Sequence, residues 1–431
     1  MKSMQESQFL TTGAAPGRFH SLEGLLLSTP LLMHGVAVLA VILFALAAPA
    51  HAQKEIIVHS FGGTDDATAV NGGLVSDAVG NLYGSATGGG RYGNGVVFEL
   101  SPQTDGSWAE SFLYSFGPPR YGYLPNAQVS FDPKGNLYGT TTAGGAYNDG
   151  TVYRISPQSG GEWSARTLHS FNPAVGDGNA TSGVDVVADA LGNVFGSNWE
   201  SGLYGSGFVF ELASGDGTWT ETILQNFNIG SRGGYYPGNL VLDATGKVYG
   251  TAEGGILHGG LVFRFSPSSG GGWSETILRN FSKGGSEGEL PAVLAFDPSG
   301  NLYGVTLSGG TFGYGVAFEL MPTARGSWAE NVLYSFEQGD GNSPSGLVVD
   351  ASGNLYLTMW SGGEGGWGTA LELSPASDGT WTKRRLHNFG SGPMDGLTPA
   401  GTLVVDSAGN LYGSTYEGGI RGGGIVYEIV P

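Results

Sequence analysis

The chain contains no cysteine. Disulfides, thiolate chemistry and cysteine-ligated metals are therefore excluded, and stability must come from packing. Positive charge is scarce: 18 Lys and Arg stand against 37 Asp and Glu, a formal charge of -19. A surface this acidic repels phosphate backbones and anionic lipid, so nucleic acid is excluded as an expected partner. A helical period of 3.6 is absent from residue 53 onward. Catalytic signatures give no support for a specific chemistry: H-E-x-x-H and the Walker sequence do not occur.

Glycine and aromatic residues are abundant. The 79 glycines do not recur at every third position, so the chain is not collagen-like. An aromatic content of 11% supplies a packed core that a disordered Gly-rich chain would lack.

Self-similarity organises the chain. The phrase Asp77-Ala78-Val79-Gly80-Asn81-Leu82-Tyr83-Gly84 returns, with small changes, at Asp132, Asp189, Asp243, Asp297, Asp350 and Asp406. Each repeat reads as four strands. A short apolar run ends at the aspartate. D-x-x-G makes a turn, because Asp accepts from backbone N–H groups two residues on and Gly accepts positive φ. A strand such as 136–141 and a Gly-Gly loop follow. The third strand alternates apolar and polar residues, as in Gly207-Phe208-Val209-Phe210-Glu211-Leu212. The fourth carries a Trp eight residues before a Phe: Trp108/Phe116, Trp163/Phe171, Trp219/Phe227, Trp273/Phe281, Trp328/Phe336 and Trp381/Phe389.

The seventh repeat stops after its third strand. Its missing strand stands at the other end, where residues 54–61 match the Leu168-His169-Ser170-Phe171 ending. The expected fold is therefore all-β: a seven-bladed β-propeller of four-stranded antiparallel blades, closed by the N-terminal strand completing the last blade. A solenoid, the alternative, would have atypical capping repeats at both ends.

Residues 1–52 read as a signal peptide, with an apolar run over 36–48 and cleavage after Ala52 in Ala50-His51-Ala52. An uncleaved anchor is the alternative, since 25–48 approaches spanning length. Residues 53–431 then form one domain, expected to be a monomer with no membrane span. The expected location is the periplasm, the cell surface or the medium.

The phrase D-x-x-G-N-L-Y-G-[ST]-T, then Gly-Gly, then G-x-V-[FY]-E-L, resembles the GloVer tandem repeat of exported bacterial "choice-of-anchor" proteins. The resemblance covers roughly residues 54–431. Departures are Lys247 for Asn, Val194-Phe195 for Leu-Tyr, and Leu357 for the last Gly. The resemblance implies export and the propeller fold. It carries no activity over to this chain.

In a propeller the loops from strand two to strand three emerge on the face that usually holds ligands. There Tyr92, Tyr147, Tyr204, Phe312 and Trp367 are the candidate ligand-binding residues, for stacking on sugar rings or on a partner's apolar residues. The weaker catalytic candidates are His258 with Glu253 or Glu417. Asp-Gly loops at Asp177, Asp340 and Asp395 read as turns. A Ca2+ site there would need ligands from several blades, because no loop has EF-hand spacing. No cofactor is expected otherwise. The repeated aspartates and tryptophans read as structural. His59, His169 and His387 share one fourth-strand position with Tyr114, Gln225, Arg279 and Tyr334, and this interchange suggests an exposed surface site. The preferred function is an exported scaffold binding an extracellular glycan, a protein or the cell surface. The alternatives are a carbohydrate- or small-molecule-active lyase or hydrolase at the channel mouth, and a structural envelope protein.

Overall fold

The D-x-x-G phrase folds as one hydrogen-bonded unit. Asp132 Oδ1 accepts from the backbone N–H of Lys134 at 2.8 Å and of Asn136 at 2.9 Å. Its Oδ2 accepts from Asn136 Nδ2 at 2.7 Å and from the Tyr138 hydroxyl at 3.0 Å. Asp77 is bonded in the same way to Val79, Asn81 and Tyr83. The Asp, Asn and Tyr of the phrase are thus a turn and its lock. This chemistry occurs in a computed structural model that describes residues 54–63, 66–180, 184–215, 218–323 and 327–431. The signal peptide expected over 1–52, Gln53 and Thr64-Asp65 lie outside the described residues.

The two glycines of the phrase serve different needs. Gly135 has φ +79°, and a Cβ there would meet nothing within 4 Å, so backbone conformation selects it. A Cβ on Gly139 would overlap the Tyr153 hydroxyl, so close packing selects that one. The second glycine pairs in register with a large third-strand side chain: Gly84 with Phe98, Gly196 with Phe210, Gly413 with Tyr427. Where Leu357 replaces it, the partner is Leu371 instead of an aromatic ring. Volume moves from one strand to the other and the core stays filled.

The strands assemble into seven antiparallel sheets, covering residues 67–115, 123–170, 184–226, 235–282, 289–335, 342–388 and 396–430, here numbered as blades one to seven. The order within each blade is sequential from the inner strand outward. In blades one and two the inner strand is broken into two short pieces. The strand Lys54–Ser60 pairs antiparallel with Ile425–Val430 as the fourth strand of blade seven. The chain is a seven-bladed β-propeller closed by its N-terminal strand. No helix among the described residues is long and apolar enough to cross a membrane.

Blades pack through the motif residues. Trp163 of blade two lies against Tyr83 of blade one, with centroids 6.4 Å apart. Trp108 meets Tyr412, and Trp219 meets Tyr138, in the same relation. The fourth-strand phenylalanines, Phe61 to Phe389, are fully or almost fully buried. Just before each lies a register shift against the third strand, as between Val152/Tyr153 and Ala370/Leu371. The extra residue is Leu168 or Leu386, and the next residue is a histidine. Such a bulge bends the strand and re-aims the side chain that follows.

Candidate functional site

Three residues past the second glycine, the blades carry Thr87, Thr142, Trp199, Glu253, Leu307, Trp360 and Tyr416 in turn. This register position lies at or near the end of the second strand. Trp199 of blade three and Trp360 of blade six line one cavity of about 400 Å³. Trp199 leans on Tyr236 of blade four at 4.8 Å between centroids. Trp360 lies 6.0 Å from Tyr416 of blade seven. Each platform is thus braced by the next blade.

Between the platforms the wall is polar. Asn71, Asn126, Gln128, Asp185, Asn239 and Ser345 line the same cavity. Asn71 Nδ2 donates to Asn126 Oδ1, and Gln128 Nε2 donates to the Leu74 carbonyl at 3.4 Å. Burial raises the Asp185 carboxyl above the usual carboxylate range, and the Gln128 backbone N–H offsets part of this. Further along the channel the lining turns apolar, with Val75, Val187, Val241, Ala295 and Val348. Gln128, Asp185 and Asn239 stand four residues before the turn aspartate, where other blades have Val293 or Gly346. Sequence reasoning missed this set. The contrast at one register position was the available signal.

The candidate ligand-binding residues form an outer crown. Tyr92, Tyr147, Tyr204, Phe312 and Trp367 are 43–55% exposed in their strand-two-to-three loops. Leu257 and Ile420 continue the series on blades four and seven. None of the five lines the channel cavity. The catalytic candidates are scattered. His258 is exposed on blade four with φ +61°. Glu253 is half-buried on the same blade, and burial raises its carboxyl. Glu417 is exposed on blade seven. Among the described residues no hydrogen bond or ion pair joins His258 to either glutamate.

The shared fourth-strand position is not an exposed surface site. His59, His169 and His387 have side chains only 22%, 19% and 13% exposed. Each sits at a junction between outer strands, facing an Asp from its own following loop and a Glu from the next blade. The next blade's glutamate comes two residues after the tryptophan position, as Glu110 and Glu221 do. At the corresponding junction of blades four and five, Arg279 Nη2 lies 2.7 Å from Glu330 and 3.9 Å from Glu287. Between blades five and six, Lys383 pairs with the fully buried Asp340. Burial, with the neighbouring Asp adding to it, pushes Glu55, Glu110 and Glu221 each up to about 7. The Asp-Gly aspartates are thus more than turn formers: Asp177 and Asp395 also accept the backbone N–H groups of Asn172 and Ser391.

The sequence model of the Gloeobacter/Verrucomicrobia repeat family matches residues 42–256 and 291–431, so the chain belongs to that family. No curated protein matches it in sequence. Solved structures that share the fold include a fungal alcohol oxidase of the AA5 family in complex with copper. That enzyme is 13% identical, with a TM-score of 0.53 over 86% of this chain and 76% of its own. The PQQ-bound aldose sugar dehydrogenase of Streptomyces coelicolor is 12% identical, with a TM-score of 0.43 over 89% and 99%. The putative glucose dehydrogenase of Thermus thermophilus is 15% identical, with a TM-score of 0.42 over 88% and 100%.

Proposed function

We propose that this member of the Gloeobacter/Verrucomicrobia repeat family is an exported binding propeller, and that its channel mouth takes an extracellular glycan. The observation that carries the reading is the Trp199 and Trp360 pair on one cavity walled by side-chain amides. A sugar presents an apolar C–H face and a rim of hydroxyls. Aromatic faces suit the first, and Asn, Gln and Ser groups suit the second. The acidic surface disfavours anionic ligands and leaves neutral sugars acceptable. The outer crown, with Tyr92, Tyr147 and Trp367, would then contact the longer polymer or the surface that bears it.

A glycan array, followed by calorimetric titration of the hits, tests the reading. Trp199→Ala and Trp360→Ala are each expected to weaken binding roughly tenfold while leaving the melting temperature near that of the parent. Absence of any glycan hit, or unchanged affinity in both variants, would overturn it. A lyase or hydrolase at the same mouth is favoured by one observation, the raised Asp185 carboxyl, which suits a proton donor. Turnover of a bound glycan that is lost in Asp185→Asn would select that alternative.

A further inference from the structure

We infer that the three His-Asp-Glu junctions on the outer rim are binding sites for a divalent transition-metal ion of the zinc type, and that two of them clamp the ring-closing strand. The junctions are His387 with Asp395 and Glu55, His59 with Asp66 and Glu110, and His169 with Asp177 and Glu221.

The spacing points to metal ligation. In the first junction, His387 Nε2 is 3.2 and 3.1 Å from the two Asp395 oxygens and 3.4 Å from Glu55 Oε2. In the third, His169 Nε2 is 3.1 Å from both Asp177 oxygens and 3.9 Å from Glu221 Oε1. In the second, His59 Nε2 is 3.5 Å from Glu110 Oε2. The His–Asp contacts of the first and third junctions are hydrogen bonds forked over both carboxylate oxygens, rather than one short bond of about 2.7–2.9 Å. Two ligands about 2.0–2.1 Å from a tetrahedral ion lie about 3.3–3.4 Å apart. The observed separations straddle that edge length, with one imidazole nitrogen facing carboxylates from two directions.

Unpartnered atoms give a second, separate observation. Glu55 Oε1, Glu110 Oε1, Glu221 Oε1 and His59 Nε2 are buried atoms without a hydrogen-bond partner. Buried polar atoms are normally satisfied, and a carboxylate left so is costly. A coordinated ion would satisfy them.

The other junctions supply an internal control. Where Arg279 takes the histidine position, its guanidinium sits between two glutamates. Where Lys383 takes the glutamate position, its ammonium meets Asp340. The junction of Tyr114, Tyr121 and Ala165 contains no acid at all. Paired carboxylates therefore occur beside a built-in cation or beside a histidine. Imidazole with carboxylates suits zinc and its neighbours, whereas Ca2+ requires six to eight oxygens. Water completes the coordination at these half-buried sites.

Placement gives the sites a purpose. Strand Lys54–Ser60 is held to blade seven by its backbone ladder and by Ser60 Oγ, which accepts from the Ile420 N–H at 3.0 Å. Its Glu55 reaches blade six, and its His59 reaches Glu110 of blade one. Ions at these two junctions would tie the closing strand to the blades on both sides.

The test uses chelator-stripped protein of the full repeat region, with ZnCl2 as the probe and CaCl2 as the control. Calorimetric titration is expected to show about three zinc equivalents, and micromolar zinc is expected to raise the melting temperature by several degrees where calcium does not. His387→Ala, His59→Ala and His169→Ala are each expected to remove one equivalent. The conservative Glu55→Gln should weaken one site without perturbing the strand, which guards against a variant that fails to fold. Cobalt substitution should give the visible bands of a tetrahedral N/O site. No stoichiometric zinc uptake by the parent protein, or equal uptake by the triple histidine variant, would overturn the inference. A melting temperature that responds to pH but not to zinc would mean that a proton alone serves these junctions, and would overturn it too.

Discussion

Glu55 Oε2 lies 3.4 Å from His387 Nε2, so the first described strand and the outer strand of blade six meet side chain to side chain. The same first strand carries the backbone ladder that completes blade seven. The first and last strands of the repeat region are therefore committed to one closure, by pairing on one edge and by a polar junction on the other.

Deleting residues 53–61 is expected to lower the melting temperature sharply. The deletion removes the ladder to Ile425–Val430 and the buried Phe61 ring. Phe61→Ala alone is expected to cost about 3–5 kcal/mol. Chemical denaturation measures both. An unchanged curve for the deletion would refute closure.

Trp163→Ala is expected to destabilise by about 2–4 kcal/mol, less than a fully buried tryptophan, since Trp163 is half-buried against Tyr83. Trp163→Phe should recover part of the loss. If Trp163→Ala costs nothing, packing between blades does not depend on this contact.

Two aspartates are expected to respond to pH with opposite sign. At Asp132 burial works to raise the carboxyl, but hydrogen bonds from Asn136, Tyr138 and Lys134 outweigh it and hold it below the ordinary value of 3.8. The unfolded chain then binds the proton first as pH falls. The stability from Asp132 is present above about 3.8 and is lost as pH falls through the folded value. Asp185 is raised by burial, so the folded state binds the proton first. Its penalty is absent below the unfolded value and grows as pH rises toward the folded one. Asp132→Asn should therefore destabilise at pH 7 by about 1–3 kcal/mol and flatten the acid limb. Asp185→Asn should stabilise at about pH 7, with no gain near pH 3. Melting curves across pH measure both.

Arg279→Met is expected to cost about 1–3 kcal/mol, between the values for exposed and buried pairs, because Glu330 is 5% exposed and Arg279 34%. The double variant Arg279→Met, Glu330→Gln should recover most of the loss. A double variant no better than the single one would show that the pair contributes through packing alone.

Much of the architecture was legible because each element repeats its own local chemistry. The D-x-x-G turn and its Asp-centred hydrogen bonds close within seven residues, so seven copies of D-x-x-G announce seven turns. In sequence, Leu357 for glycine is a small departure from the repeat. It is matched across the strand by Leu371, a pairing that register alone reveals. Along the sequence, interchange of the histidines with Tyr, Gln and Arg suggests exposure. Interchange instead reflects a junction whose partners change with it, as Arg279 with Glu287 and Glu330 shows.

The repeat period by itself determined blade number and strand order, since these follow from hydrogen bonding between neighbours in the chain, and the match of residues 54–61 to the Leu168-His169-Ser170-Phe171 ending pointed to the long-range pairing that closes the ring. Only the tertiary structure decided what meets across blades. Trp199 and Trp360 face one cavity because the ring brings together second strands three blades apart. The His-Asp-Glu junctions form because the fourth-strand bulge turns its histidine toward the next blade. Those contacts depend on how one sheet is set against the next, and no spacing along the chain encodes that angle directly.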